Sequence, residues 1–362
     1  MTSNESFPSD ALVEWFRDHR RELPWRGERS PYEIWVAEIM LQQTRVSTVE
    51  DYYEDFLEKF PTLEALAEAS QDEVLKAWEG MGFYARARRL HKSARTVVEE
   101  HDGTLPSDYE ELKALSGIGD YTAAAIEAFA FGGDRPVMDG NVLRVITRWA
   151  GIATPVDRSD TEARVRDILE DGLERTGHPG ELSEGLMELG ALVCTPSSPD
   201  CSQCPLEQSC SASRRDRTDE LPVTEESGEK PHHEIAVGVV LEDDEVLISR
   251  RPEDKMLGGL WEFPGGKLED DETLTEALQR EMVEELGIEV AVNEKITELP
   301  HEYSHLSINL HAYLCEIDEG TPQSREGQQW KWVERDNLED YAFPKANKQV
   351  LDVLENGTVS AK

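Results

Sequence analysis

The sequence predicts two domains of different class, an all-α N-terminal domain followed by a smaller α+β domain. Three observations carry this reading. Apolar residues recur at helical spacing through residues 8–210, as in ALVEWFRDH, YEIWVAEIMLQQTRVSTVEDYYEDFLEKF and GLMELGALVC. Four of the five cysteines crowd into Cys194–Cys210, at the end of that region. From Ile235 the pattern changes to short β-rich runs, EIAVGVVL, EVLISR, LSINLHAYLCEI and QQWKWV, interrupted by one helical stretch, ETLTEALQREMVEELG.

Each element has a local reason. The polar, acidic start MTSNESFPSD has no signal-peptide core. Ser30-Pro31 is an N-cap and first-turn signal for the helix that follows. LKALSGIGDYTAAAIEAF places Gly117 and Gly119 between two helical patterns. Glycines let a tight hairpin form, and the backbone N–H groups opening the next helix can hold a phosphate. Residues 211–233 are polar and charged, which predicts a linker between domains 1–210 and 234–358. Cys315 lies in an apolar strand and is expected in a core.

The cysteines Cys194, Cys201, Cys204 and Cys210 are spaced C-x6-C-x2-C-x5-C. Four thiolates within this short loop 194–210 can enclose one metal centre, and the arms are too short for unstrained disulfides. Spacing does not separate structural zinc from an iron–sulfur cluster, since each takes four thiolates.

Charge divides the possibilities further. The chain of 362 residues has 37 basic and 76 acidic side chains, a formal charge of −39. The excess is even, −19 up to residue 222 and −20 beyond, so it is a property of the whole surface. With 25 arginines against 12 lysines, this predicts a protein of a halophile, working in concentrated salt where electrostatic reach is short. No apolar run approaches a membrane span, and the expected location is cytoplasmic. One stretch breaks the acidic pattern. GMGFYARARRLHKSARTVV, between Glu79 and Glu99, has no acid and holds Arg86, Arg88, Arg89, Lys92 and Arg95 beside Phe83 and Tyr84. Charge for phosphate and rings for stacking are what a nucleic-acid surface needs.

The hairpin, followed by VMDGNVLRVITRW and the cysteine loop, resembles the helix–hairpin–helix–Gly/Pro–Asp signature and [4Fe–4S] loop of the endonuclease-III-like DNA glycosylase superfamily. The segments LPWR, AEIMLQQT, GFYARARRLHK, MDGNV and MELGALVC occur in that order. Together they look like the A/G-specific adenine glycosylase (MutY) family over residues 8–210. The resemblance implies an all-α helix–hairpin–helix glycosylase fold that removes adenine mispaired with 8-oxoguanine or guanine in double-stranded DNA. It implies that Asp139 is the essential aspartate, stabilising the sugar cation. Glycosidic cleavage needs a second carboxyl to protonate the leaving group. Glu38 is the candidate, because its apolar helix would raise its pKa and keep it protonated. The match further implies that Asn141 orients water or sugar and that Trp25, Arg26 and Glu188 contact the flipped adenine. Gln42 and Gln43 join the DNA-binding set, with Gln43 filling the gap in the stack. Tyr84 wedges beside the opposite base, and Arg86, Gly117 and Gly119 face the backbone. Related glycosylase–lyases carry lysine at the position of Tyr121, so tyrosine there implies a monofunctional enzyme. Asp120 departs from the family, which more often has arginine, and an acid there should weaken DNA binding at low salt.

The C-terminal segment GKLEDDETLTEALQREMVEELGI fits the Nudix box at Gly266, Glu272, Arg280, Glu281, Glu284, Glu285 and Gly287. On a helix Glu281, Glu284 and Glu285 share one face, an arrangement Mg2+ could relieve. LWEFPGGK, HEYSH, EGQQW and FPKAN look like the 8-oxo-dGTP pyrophosphohydrolase branch, with Asn347 as the base-reading asparagine. Tyr303-Ser304-His305 resembles the loop that glycosylases use against 8-oxoguanine, which assigns Ser304 and His305 to that base. The resemblance implies an α+β Nudix fold, a monomer with a [4Fe–4S] cluster, and either recognition of 8-oxoguanine or an added Mg-dependent hydrolysis of 8-oxo-dGTP. A thymine mismatch glycosylase and a non-catalytic DNA-binding protein are the other readings. Glu38 and the second domain weigh against the first, and the Glu38/Asp139 pair against the second.

Overall fold

A computed structural model describes residues 6–224, 230–303, 306–325 and 329–356, so Ser304 and His305 lie outside the described residues. Two compact units are present: residues 1–68 with 92–227, and residues 69–91 with 228–362.

The helices of the first part of the chain are α1 (Ser9–His19), α2 (Pro31–Leu41), α3 (Val46–Lys59), α4 (Leu63–Glu68), α5 (Gln71–Ala77), α6 (Ala85–Glu100), α7 (Tyr109–Ala114), α8 (Asp120–Phe131), α9 (Gly140–Ala150), α10 (Ser159–Arg175), α11 (Pro179–Leu192) and α12 (Ser211–Arg214). The signal at Ser30 is met in full. Its hydroxyl accepts from the Glu33 N–H, Glu33 reaches back to the Ser30 N–H, and Pro31 opens the helix. Tyr32 and every residue from Ile34 to Met40 are buried, so α2 has no solvent face and carries Glu38 inside with it. The core of this unit joins Val142, Ile146 and Trp149 of α9 to Leu182, Leu186 and Leu189 of α11 and Leu12 of α1. Each such aliphatic side chain contributes roughly 1.5–3 kcal/mol on burial.

The predicted linker begins later than the composition suggests. Residues 211–214 form α12, Leu221 is buried, and the Val156 N–H donates to the Val223 carbonyl at 3.0 Å. The polar composition concealed this because the segment is held through backbone groups, which leave no mark on hydropathy.

The second unit holds strands β1 (His232–Glu242), β2 (Glu245–Arg250), β3 (Trp261–Glu262), β4 (Gly265–Lys267), β5 (Glu289–Glu302), β6 (Ser307–Glu319) and β7 (Trp330–Glu334), with helices α13 (Leu274–Leu286) and α14 (Lys345–Asn356). The sheet runs β3-β2-β1-β6-β5, β4 pairs with β1 and β7 with β2, and among the described residues only the β1–β6 pair is parallel. Alternation along β1 sorts its faces. Ala236 and Val240 pack with Leu278 and Met282 of α13 and with the buried Cys315, whereas Val237 and Val239 pack with Val350 and Leu354 of α14. Residues 69–91 join this unit through polar groups. Asp72 pairs with Arg250 at 2.8 Å, and Glu79 accepts from the Phe343 N–H at 3.1 Å and from Lys348 at 2.8 Å. Arg88 donates to the carbonyls of Gly258 and Glu253.

Candidate active site

Glu38 is buried on α2, and the Tyr121 hydroxyl on α8 donates to its Oε2 at 3.0 Å. Burial pushes the Glu38 carboxyl up from 4.5 to about 7. The Tyr121 hydrogen bond opposes this, while Asp139 and Glu184 add to it. Tyr121 is itself held well above its ordinary range by burial beside Glu38 and Asp139, so it stays a phenol. Asp139 caps α9. Its Oδ1 accepts from the Val142 N–H at 2.7 Å and its Oδ2 from the Asn141 amide at 2.8 Å. Arg144, one turn on, donates to Asn141 Oδ1 at 2.8 Å and to the carbonyls of Gly190 and Cys194, each at 2.8 Å. An added Cβ on Gly190 would stand 2.6 Å from Asn141 Cβ, so only glycine lets α11 approach this closely. Both carboxyls expected from sequence thus belong to the first unit, Glu38 buried with its carboxyl raised to about 7 and Asp139 oriented by a helix start.

Arg26 and Glu188 also come together, but with each other. Glu188 is buried and accepts from Arg26 and, in three hydrogen bonds, from Arg21. Burial alone would raise this carboxyl, yet the two arginines pull it down to about 2. Its expected contact with adenine therefore requires these arginines to share it, since its lone pairs are already committed. Glu184, one turn earlier on α11, binds Arg26 Nε at 2.9 Å and is raised by burial. Sequence reasoning missed it, although its i, i+4 spacing with Glu188 was legible. Trp25 is half-buried and meets Tyr53 edge-on at 5.6 Å.

The hairpin is built as expected. Gly117 has φ +84°, and Gly119 precedes α8 without a side-chain cap, leaving its first N–H groups for an outside acceptor. The Gln42 amide donates to Thr122 Oγ1 at 2.8 Å, while Gln43 is exposed in the left-handed region at φ +57°. Asp120 binds Lys113 Nζ at 2.5 Å and the Tyr109 hydroxyl at 2.6 Å, and these bonds lower its carboxyl.

Tyr84 and Arg86, both expected at the DNA, are buried in this structure. Tyr84 is buried with its hydroxyl accepting from the Gly80 N–H at 3.0 Å, so it is not presented as a wedge. Phe83 beside it is 40% exposed, with φ +49°. Arg86 is buried against the rings of Trp78 and Phe83, at 5.4 and 5.2 Å, and donates to the Gly82 carbonyl at 3.2 Å. Burial lowers its guanidinium to about 10. It props Phe83 instead of facing a backbone phosphate, because its aliphatic stem and planar head fit between rings.

The cysteines Cys194, Cys201, Cys204 and Cys210 line one recess with Val145, Trp149 and Leu206. Among the described residues no three His, Cys, Asp or Glu side chains are set to hold a single metal ion. Four thiols around one recess are a donor set that a four-thiolate centre could use.

In the second unit Glu281, Glu284, Glu285 and Asn347 line one cleft with Arg251, Glu262 and Tyr303. Gly266 leaves room there for the Glu281 carboxylate, since a Cβ would stand 2.1 Å from Glu281 Oε1 where it now lies. Asn347 Oδ1 accepts from the Phe263 N–H at 3.0 Å. Arg280 binds Glu272 at 2.8 Å, Glu281 at 2.9 Å and Glu284 at 3.1 Å. Arg280 thus pairs with two of the three glutamates expected to hold Mg2+, Glu281 and Glu284, while Glu285 lines the same cleft.

Residues 36–171 match the model of the HhH-GPD superfamily of base excision DNA repair proteins, and residues 236–353 that of the NUDIX domain. The adenine DNA glycosylase of Homo sapiens is 33% identical, over 95% of this chain and 73% of its own length. This chain belongs to the adenine DNA glycosylase family. The member from Buchnera aphidicola (subsp. Schizaphis graminum) is 27% identical over 96% of this chain and 98% of its own. A solved thermostable thymine-DNA glycosylase shares the fold, with TM-score 0.52 and 28% identity over 57% of this chain and 95% of that one. Matches of the adenine family extend across both units, which does not favour the thymine reading or a purely DNA-binding role. Among the described residues no helix is long and apolar enough to cross a membrane.

Proposed function

We propose that this DNA glycosylase hydrolyses the N-glycosidic bond of adenine opposite 8-oxoguanine or guanine in duplex DNA, without cleaving the strand. The observation that carries the chemistry is the buried Glu38 under the Tyr121 hydroxyl, its carboxyl raised to about 7, together with the α9-capping carboxylate of Asp139. Glu38 donates its proton to N7 of the extruded adenine. The C1′–N9 bond then breaks, its electron pair leaving with the base. The sugar is left as an oxocarbenium ion, which the Asp139 carboxylate stabilises while Asn141 orients the incoming water; the water oxygen bonds C1′ and its surplus proton returns to the Glu38 carboxylate. Extrusion of the base costs a few kcal/mol and is easiest at a mispair. Tyr121 offers no amine for a Schiff base, so strand cleavage is not expected.

Cys194, Cys201, Cys204 and Cys210 would hold a [4Fe–4S] cluster, which supplies a structural cross-link of residues 194–210 and takes no part in the proton transfer. Phe83 enters the base stack. The cleft of Asn347 and Tyr303 reads 8-oxoguanine. The protein acts as a monomer, in the cytoplasm and in high salt.

Single-turnover assays test this at high and low KCl on duplexes holding one A:8-oxoguanine, A:G or A:T pair, with 8-oxo-dGTP and Mg2+ in parallel. Adenine release from the first two, with breaks only after alkali, is expected. No adenine release at any salt sinks the proposal, and hydrolysis of 8-oxo-dGTP overturns the recognition reading.

A further inference from the structure

Arg148 on α9 is 2% exposed, the most deeply buried arginine among the described residues. Its Nε donates to the Leu221 carbonyl at 2.7 Å, Nη1 to Thr195 at 2.6 Å, and Nη2 to Pro196 at 2.9 Å. Nη1 also stands 3.5 Å from Cys194 Sγ, and Cys210 Sγ lies 3.6 Å from the Arg148 carbonyl. A buried guanidinium needs an anionic partner as well as acceptors, because uncompensated charge is costly away from water. Among the described residues no carboxylate is in ion-pair contact with Arg148, nor with Arg144 one turn earlier, in a chain with twice as many acids as bases. Arg148 instead turns Nη1 to Cys194 Sγ in a recess lined by all four cysteines, and Arg144 is acted on by Cys194 and Asp139.

We propose that Arg148 is the counter-cation of the cluster held by these cysteines and raises its reduction potential through an N–H donated to the Cys194 thiolate. A four-thiolate iron–sulfur centre carries net negative charge, and hydrogen bonds to its sulfurs favour the more reduced state. The carbonyls of Leu221, Thr195 and Pro196 hold the fork in place, so the charge cannot swing to solvent. This rests on the cluster reading above and concerns a different observable.

The test compares wild type with Arg148→Gln and Arg148→Lys, as purified and iron-loaded. Cluster potential is read by protein-film voltammetry and thiolate hydrogen bonding by deuterium-exchange ENDOR on wild type. The expected results are an exchangeable proton coupled to the wild-type cluster, a potential shifted negative in Arg148→Gln, and a smaller shift in Arg148→Lys. Absorbance of the neutral variant should bleach several-fold faster under oxidant. An unchanged potential in both variants, or no exchangeable proton in wild type, overturns the proposal; the ENDOR result decides even if Arg148→Gln fails to fold. Wild type purified without iron or visible absorbance instead overturns the cluster reading itself.

Discussion

The side-chain amide of Asn141 donates to Asp139 Oδ2 at 2.8 Å, and Arg144 holds the other end of that amide at 2.8 Å. Arg144 is in turn tied to the Cys194 and Gly190 carbonyls. The orientation of the carboxylate thus depends on a chain of contacts reaching the cysteine loop. Arg144→Met should lower the single-turnover rate by about a hundredfold, the scale of a 1 Å misplacement. Binding to a duplex with a non-cleavable adenine analogue should change far less. Gly190→Ala should act similarly and cost about 1–3 kcal/mol of stability from overpacking. Equal losses of rate and affinity in Arg144→Met would show that it acts on binding instead.

Glu38 is protonated when it works, so the rate should fall about tenfold per pH unit above its pKa of about 7. Tyr121→Phe removes the hydrogen bond that lowers this value, and the alkaline limb should move to higher pH. The raised carboxyl also has a stability signature. Ionising it in the folded state is unfavourable, so the fold loses stability as pH rises from 4.5 to about 7, by at most about 3 kcal/mol. Glu38→Gln should abolish adenine release yet raise Tm above pH 7, with the gain fading toward pH 4.5. A Tm difference independent of pH would contradict the assignment.

Phe83 and Tyr84 separate a ligand role from a structural one. Phe83→Ala should remove about 1–3 kcal/mol of stacking from lesion-duplex binding while leaving the fold intact. Tyr84→Phe should cost about 1 kcal/mol of stability, the worth of its bond to Gly80, and little affinity. Fluorescence anisotropy and thermal melts on both variants check this, and the reverse pattern would restore Tyr84 as the wedge.

Asp120 occupies the mouth of the hairpin and holds Lys113 there. Asp120→Arg should free Lys113, tighten duplex binding at low salt, and steepen the log–log salt dependence by about one. An unchanged slope would place the hairpin away from phosphate.

Much of this protein is determined by local sequence. The Ser30 capping box, Gly117 in a positive-φ turn, the alternation along β1 and the spacing of Glu281, Glu284 and Glu285 are short-range properties of sterics and helical or strand period. They made both fold classes readable, while the Glu38/Asp139 pair was read from the resemblance of AEIMLQQT and MDGNV to the family's motifs. What only the tertiary structure decided are pairings across long separations. Glu188 goes to Arg21 and Arg26, Leu221 gives its carbonyl to Arg148, and Arg280 takes two of the three box glutamates. Which of two adjacent aromatics, Phe83 or Tyr84, faces solvent is likewise set by a backbone torsion and a single bond to Gly80. Such choices turn on a few kcal/mol of desolvation and hydrogen bonding among groups distant in the chain, and residue type alone does not record which partner is nearest.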